Sequence, residues 1–404
     1  MAVLAAALMV AATRAADPQS PDASPAGAVV EPKPLSSNVE KGLAWLAEHQ
    51  LDSGAWGQGE ESEAMGGGGA LKDAPSVGDT CMAVMALMRA GNTPQKGMYA
   101  NNVLAGVKYV CSQVGESDPN SLLITKTEGT RIQQKLGRYI DTFLACTMLA
   151  EVQEKITDEQ LFKEVTAALE KVVRKIEANQ RADGTWGENG WAQTLEQQMA
   201  VRGINKAALA GVKVDETVRQ RAAQEAQSRF DDKSGSFSEK GSAGVELYAA
   251  SSSLGAQADT VSYDAVREQD LKGQLAAAST PEERKAIEMD LARLADNRKK
   301  LQATTQAIVS KIQDQKFVSG FGSNGGEEFL SYLTIGESLV SRGSEDWTKW
   351  DESMTKNMNA IQNADGSWTG HHCITGRSFC TSAALLVLMV DRTEAPIAGK
   401  IQRR

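Results

Sequence analysis

Apolar positions along this chain fall into two kinds of segment. In one kind they recur every three or four residues with polar residues between, the period of an amphipathic helix, near 38–50, 101–114, 158–180, 215–229, 301–316 and 346–362. In the other kind almost nothing is charged, as in the runs Cys81 to Met88 and Ala383 to Met389. These segments fall near 79–90, 139–153, 193–210, 242–255, 327–341 and 379–390, and predict helices buried on most sides. The two kinds alternate without strand-like stretches between them. The pattern therefore predicts an all-α chain of six helical hairpins, each an outer helix followed by an inner one.

One motif organises the hairpins. Gln50, Gly54 and Trp56, then Gln180, Gly184 and Trp186, then Gln362, Gly366 and Trp368 repeat the spacing Q-x-x-x-G-x-W at the end of an outer segment, and weaker copies survive at Gly235-Ser236-Phe237 and Gly320-Phe321. The Gln can end one helix while its amide bonds backbone at a neighbouring helix end, the Gly supplies a turn, and the Trp covers the junction, so each copy reads as a staple. Six stapled hairpins suffice to close a ring, an α/α toroid over residues 38–392 that brings the first pair beside the last. Residues 259–300 do not fit the alternation. They are highly charged and helix-favouring, with Ser279-Thr280-Pro281-Glu282-Glu283 as a helix start, and read as a helical hairpin inserted between the fourth and fifth pairs whose second arm runs into the fifth outer helix. The insertion is either a solvated charged hairpin or a docking arm for a protein partner.

The run Lys41 to Trp56 (Lys41-Gly42-Leu43-Ala44-Trp45-Leu46-Ala47-Glu48-His49-Gln50-Leu51-Asp52-Ser53-Gly54-Ala55-Trp56) resembles the Gln-Trp repeat of squalene and oxidosqualene cyclases, and the other two full copies keep its Gln, Gly and Trp. The resemblance spans most of residues 38–390. It implies the toroid of the terpene-cyclase and protein-prenyltransferase superfamily, a fold that also serves silent repeat proteins. Class II cyclases protonate substrate through an Asp-x-Asp-Asp motif, which is missing here; Asp231-Asp232 is the nearest, in the turn before Gly235. Cyclisation also needs aromatic walls for carbocations, and aromatics are only 5% of the chain, with three of seven Trp committed to staples. Prenyltransferases hold catalytic zinc with an Asp-x-Cys and a His at inner-helix starts. Asp79-Thr80-Cys81 and His371-His372-Cys373 are similar, and ring closure would bring them together, although their order along the chain differs from the family's. Against zinc stands a plainer reading, in which Asp79 and Thr80 cap a helix and Cys81 is a small buried hydrophobe.

Two further groups carry candidate chemistry. Cys373 and Cys380, seven positions apart around Gly376, are placed to form a disulfide worth about 2–3 kcal/mol, or to remain reduced. Asp79, Asp141, Glu196, Glu246 and Glu328 all lie near inner-helix starts, where the helix dipole favours negative charge. In a toroid these ends share one mouth, so the same acids form a ligand-binding site for a cation or cationic ligand, and Asp79, Glu246 and Glu328 are the catalytic candidates if the protein is an enzyme.

Composition then narrows the classes. A net charge of -9 offers no basic footprint for nucleic acid. Residues 1–16 combine an apolar run from Ala2 to Ala12 with small residues at Ala15 and Ala16, an export signal in outline. Five prolines follow within 17–37 as an extended linker, no later stretch is apolar enough to span a membrane, and 393–404 form a tail. The expectation is an exported, periplasmic or extracellular, binding or scaffold toroid, taking an apolar or cationic small molecule in its central cavity. The alternative is an isoprenoid-class enzyme, zinc-dependent or not, with Asp79, Cys81 and His371 or His372 as its first candidates.

Overall fold

The computed structural model describes residues 30–187, 190–341 and 345–393. The export segment 1–16, the first part of the proline-rich linker and tail residues 394–404 lie outside the described residues. The chain is all-helical apart from one two-stranded antiparallel pairing among those residues.

Each expected hairpin is present. The first pair is α1 (Ser37–Glu48) and α2 (Val77–Arg89); α3 (Ala100–Glu116), a short α4 (Arg131–Lys135) and α5 (Ile140–Gln153) build the second. The third is α6 (Glu159–Ala178) with α7 (Gln193–Leu209), and the fourth α8 (Glu216–Ser228) with α9 (Glu246–Ala277). After α10 (Pro281–Val309) and the single turn α11 (Gln315–Val318) comes α12 (Gly326–Val340), then α13 (Glu345–Ala360) with α14 (Arg377–Leu388). Burial separates the two kinds as the pattern predicts: α2, α5 and α14 are buried along almost their whole length, whereas α6 buries only the stripe through Leu161, Val165, Leu169, Val172 and Ile176. Among the described residues no helix is long and apolar enough to cross a membrane.

The buried helices pack in a definite order. α2 packs on α5, α5 on α7, α7 on α9, α9 on α12, α12 on α14, and α14 on α2; α1, from the start of the chain, also packs on α14. Just before α1, the Lys33 backbone N–H donates to Asp391 Oδ2 at 2.7 Å and its ammonium pairs with Asp351, so both ends of the domain are clamped together.

The three motif copies fold identically. Trp56, Trp186 and Trp368 each donate the indole N–H to the carbonyl ten residues back, on Leu46, Ile176 and Met358, at 2.7, 2.7 and 2.8 Å. Each Gln amide donates twice, once to its own motif Gly carbonyl and once to the first turns of another outer helix: Gln50 to Asn102 of α3, Gln180 to Val218 of α8, and Gln362 to Asn38 of α1. The Gly must be glycine. At Gly366 the backbone is left-handed, φ +93°, and a Cβ would stand 2.8 Å from the Lys41 carbonyl oxygen; Gly54 and Gly184 press on Ala105 and Arg221 in the same way.

Two expectations need correction. The copy at Gly235 is not a staple but the turn of a small hairpin, β1 (Phe230–Asp231) against β2 (Ser236–Phe237), with Asp231 accepting from Lys233 N and Ser234 Oγ. The inserted hairpin is not a separate pair of helices either: α9 runs from inner helix four through the insertion without a break. Its helix-favouring, proline-free sequence offers no stop before Ala278. The second arm starts where expected, at a capping box of Thr280 and Glu283 with Pro281 in the first turn. The base of the arm is fastened by Asn297 to Asp264, Gln227 to Asn297, and the Arg219 guanidinium over the Tyr263 ring at 3.6 Å.

Gln362→Ala should leave the Asn38 and Gly366 carbonyls without their donor and lower the unfolding free energy by about 2 kcal/mol or more in urea titrations. Gly366→Ala should lower it by a similar amount through strain and the Lys41 clash.

Candidate functional site

The amino-terminal ends of buried helices hold donors with no intrahelical partner. The chain meets them with carboxyl groups from neighbouring helices. Asp141, opening α5, accepts from the Gly78 N–H of α2 at 2.8 Å and from the Gln133 amide; Glu196 of α7 accepts from the Tyr139 N–H at the start of α5 at 2.8 Å. Glu327 of α12 accepts from the Ile374 N–H, just before α14, at 3.1 Å, and its neighbour Glu328 accepts from the Phe321 N–H at 2.9 Å and from the Tyr248 hydroxyl of α9. Asp79 lies in the first turn of α2, whose cap is Ser76: Ser76 Oγ accepts from the Asp79 N–H at 3.3 Å, and Asp79 Oδ2 accepts from Ser76 Oγ at 2.6 Å. Four of the five expected mouth acids, Asp79, Asp141, Glu196 and Glu328, are thus buried at helix starts. Glu246 departs from the pattern and pairs with Lys311 at a half-exposed edge.

Burial dominates the proton affinity of this group. It pushes Asp79 up to about 7 against the Ser76 hydrogen bond, Glu196 to about 8, and Asp141 upward as well. Glu327 rises to about 8 through burial and then the adjacent charge of Glu328.

Among the described residues no group of three or more His, Cys, Asp and Glu side chains could hold a metal ion. Cys81 is buried inside α2 with its thiol pushed well up, Asp79 is engaged by Ser76, His371 is exposed and tied by its backbone N–H to the Asn324 carbonyl, and His372 lies against Phe321. Cys373 and Cys380 are both free: Cys380 donates its thiol to the Ile374 carbonyl, while the Cys373 thiol, beside Glu327, is pushed up to about 12 by burial and that carboxyl.

What the sequence did not single out is the concentration of unpartnered atoms around α12. Asn324 Oδ1, Glu327 Oε1, Glu328 Oε2 and both ring nitrogens of His372 are buried without a hydrogen-bond partner, and His372 Nε2 stands 3.6 Å from Glu328 Oε2. Gly322 and Gly325 make room for this ring, since a Cβ at either would come within 2.8 Å of it. Over the cluster stand two of the large exposed apolar side chains, Trp191 at 40% and Phe321 at 54% exposure, packed edge to face at 5.9 Å, with Phe321 in turn edge-on to His372 at 5.1 Å. Lys135 of α4 lies over the Trp191 ring at 5.1 Å. The degenerate Gly320-Phe321 copy of the motif was the one available signal. Where the three full copies bury an indole, this one leaves a ring in solvent.

The opposite ends of the buried helices carry a different arrangement. Glu337 of α12 pairs with Arg89 of α2 at 2.9 Å and with Arg202 of α7 at 2.8 Å; Arg202 also pairs with Asp259 of α9, and Lys206 with Glu151 of α5. Three cations and three anions balance. Burial alone would push Glu337 up, but Arg202 and Arg89 outweigh it and hold its carboxyl down at about 2.

These directions set the pH dependence. Asp79, Glu196 and Glu327 keep protons that the unfolded chain releases above its ordinary carboxyl range, so each makes folding less favourable as pH rises from about 4.5 towards 8, by roughly 1 kcal/mol per pH unit. Glu337 works the other way, contributing above about pH 4.5 and losing its contribution as pH falls towards 2. Thermal unfolding should therefore show maximal stability near pH 5, and Glu196→Gln should flatten the alkaline fall. Glu337→Gln should cost about 3–5 kcal/mol by leaving Arg89 and Arg202 without their shared partner. Compared with protein-family models, with curated proteins and with solved structures, the chain matches none of them, so its chemistry is argued from this geometry.

Proposed function

We propose that the chain is a closed α/α toroid of the squalene-cyclase and prenyltransferase type, exported, that binds a small molecule at the amino-terminal mouth of its inner helices without cyclising it. Closure is supported by the order of packing, in which α14 returns to α2, and by the Gln362 staple, which treats α1 as the next outer helix just as Gln50 treats α3. Export rests on the pattern of residues 1–16.

In such a ring the two ends are unequal. Glu337 reaches helices that are not its ring neighbours, α2 and α7, so its ion pairs lie across the axis and block the carboxyl-terminal end. Entry is left to the other mouth. The observation that carries the binding reading is there: buried, unpartnered polar atoms of Asn324, Glu327, Glu328 and His372 beside exposed aromatic rings. A buried polar group without a partner is costly, and a ligand that completes it recovers that cost.

The enzymatic alternative has one observation of its own. Glu327 retains a proton up to about pH 8, as a general acid must, through burial and then the charge of Glu328. Carbocation chemistry is disfavoured by the indoles of Trp56, Trp186 and Trp368, which are all consumed by staples.

Native mass spectrometry of the exported protein should show a mature chain lacking roughly residues 1–16 and carrying a stoichiometric small molecule, lost in Trp191→Ala. Incubation with polyprenyl diphosphates should yield no product. Turnover abolished by Glu327→Gln would replace binding with catalysis.

A further inference from the structure

We infer that the ligand of this mouth is an organic cation with N–H donors, a primary ammonium or a guanidinium head, seated on Asn324 and Glu328 beside Trp191 and Phe321, and that Lys135 is its tethered competitor. The inference rests on the binding reading above and adds the chemical class.

The unpartnered atoms decide the class. Asn324 Oδ1, Glu327 Oε1 and Glu328 Oε2 are oxygens on side chains that are almost wholly buried, and they lie within one short stretch at the start of α12. Glu328 Oε1 is already engaged by Tyr248 and Phe321, and Glu327 Oε2 by Ile374, so each carboxyl is fixed in place with one oxygen left over. Glu327 keeps its proton up to about pH 8, so at neutral pH the free acceptors are Asn324 Oδ1 and Glu328 Oε2, and a ligand that donates satisfies both. Charge agrees: Glu328 acts on Glu327, Tyr248 and Cys373 from within the cluster, and the basic groups around it are His372, whose Nε2 stands 3.6 Å from Glu328 Oε2, Lys135, lying over Trp191, and Arg131, committed to a two-pronged pair with Glu61.

The roof agrees too. An indole face attracts a cation, and this one is already occupied by an ammonium supplied by the chain. A ligand cation must displace Lys135 from Trp191 or work against its charge, which makes that lysine a built-in competitor. The opposite assignment, an anion bound by Lys135 and His372, would place negative charge against Asn324 Oδ1 and Glu328 Oε2.

Calorimetric titration of the full chain with n-butylammonium, n-butylguanidinium, tetramethylammonium and butyrate tests this. The two N–H donors should bind, tetramethylammonium should bind at least about tenfold more weakly, and butyrate should not bind. Trp191→Ala, at an exposed position, should weaken n-butylguanidinium by about three- to tenfold, and Lys135→Met should tighten it by a similar factor. Both variants leave the buried carboxyls untouched, so their folding is secure where Glu328→Gln, expected to abolish binding, could disturb the α9 contact. Butyrate binding lost in Lys135→Met would overturn the assignment, as would equal affinity for tetramethylammonium and n-butylammonium. If no cation binds while the purified protein still carries a small molecule, the cation class fails alone; if it carries none, the binding reading fails with it.

Discussion

A glutamine amide that donates to two carbonyls at once is the interaction on which the architecture depends. An amphipathic helix ended by Gln50, Gln180 or Gln362 gains little by itself, because most helical stability comes from packing. The amide spends one N–H on its own Gly turn and the other on the first turns of another outer helix, so it fixes both where a helix stops and where another begins. The indole behind it pairs with the carbonyl ten residues back and fills the space under the turn. Because Gln362 does this to Asn38, the constraint runs from the last repeat to the first and the buried helices inherit their order from it.

That order creates the problem from which the site arises. Packing helices side by side with their starts together puts many free backbone N–H groups into a low-dielectric region. Asp141, Glu196, Glu327 and Glu328 answer it by accepting from the backbone beside neighbouring helices. At α5 and α7 one acid serves one junction. At α12 two adjacent acids converge with Asn324 and His372, and each of the four keeps a buried polar atom without a hydrogen-bond partner. The surplus is local, and the rings exposed to solvent are local to it as well.

Much of the fold was legible because its determinants are local. The apolar runs around residues 80 and 385, the Q-x-x-x-G-x-W spacing, and the Thr280 to Glu283 capping box each act over a few residues, and the helices begin and end close to where those signals stand. The continuity of α9 was missed because a change from apolar to charged composition at Asp259 resembles a boundary while costing a helix nothing. The acids at helix starts could be found by position, yet their roles could not. Asp141 and Glu196 look alike with Glu328 in sequence, and only their partners separate a satisfied cap from a surplus carboxyl. Asp79, Cys81, His371 and His372 read as metal ligands by type, but ligation needs side chains aimed at one point, and helix packing aimed these elsewhere.

The ion pairs at the far end were invisible for the same reason and show what the site at the near end lacks. Arg89, Glu151, Arg202, Lys206, Asp259 and Glu337 stand on five helices, and nothing in their sequence separations connects them. Isolated, each would be an expensive charge on a buried helix. Together they neutralise one another, and the shared Glu337 is held ionised by two guanidinium groups. The near end differs: Glu327 holds its proton up to about pH 8, Glu328 has one unpartnered oxygen 3.6 Å from His372 Nε2, the Arg131 guanidinium is committed to Glu61, and the Lys135 ammonium lies over Trp191. One end of the same helix bundle is thus electrostatically complete, while at the other Glu328 has no committed cation among the described residues, which is the physical argument for expecting one from outside the chain.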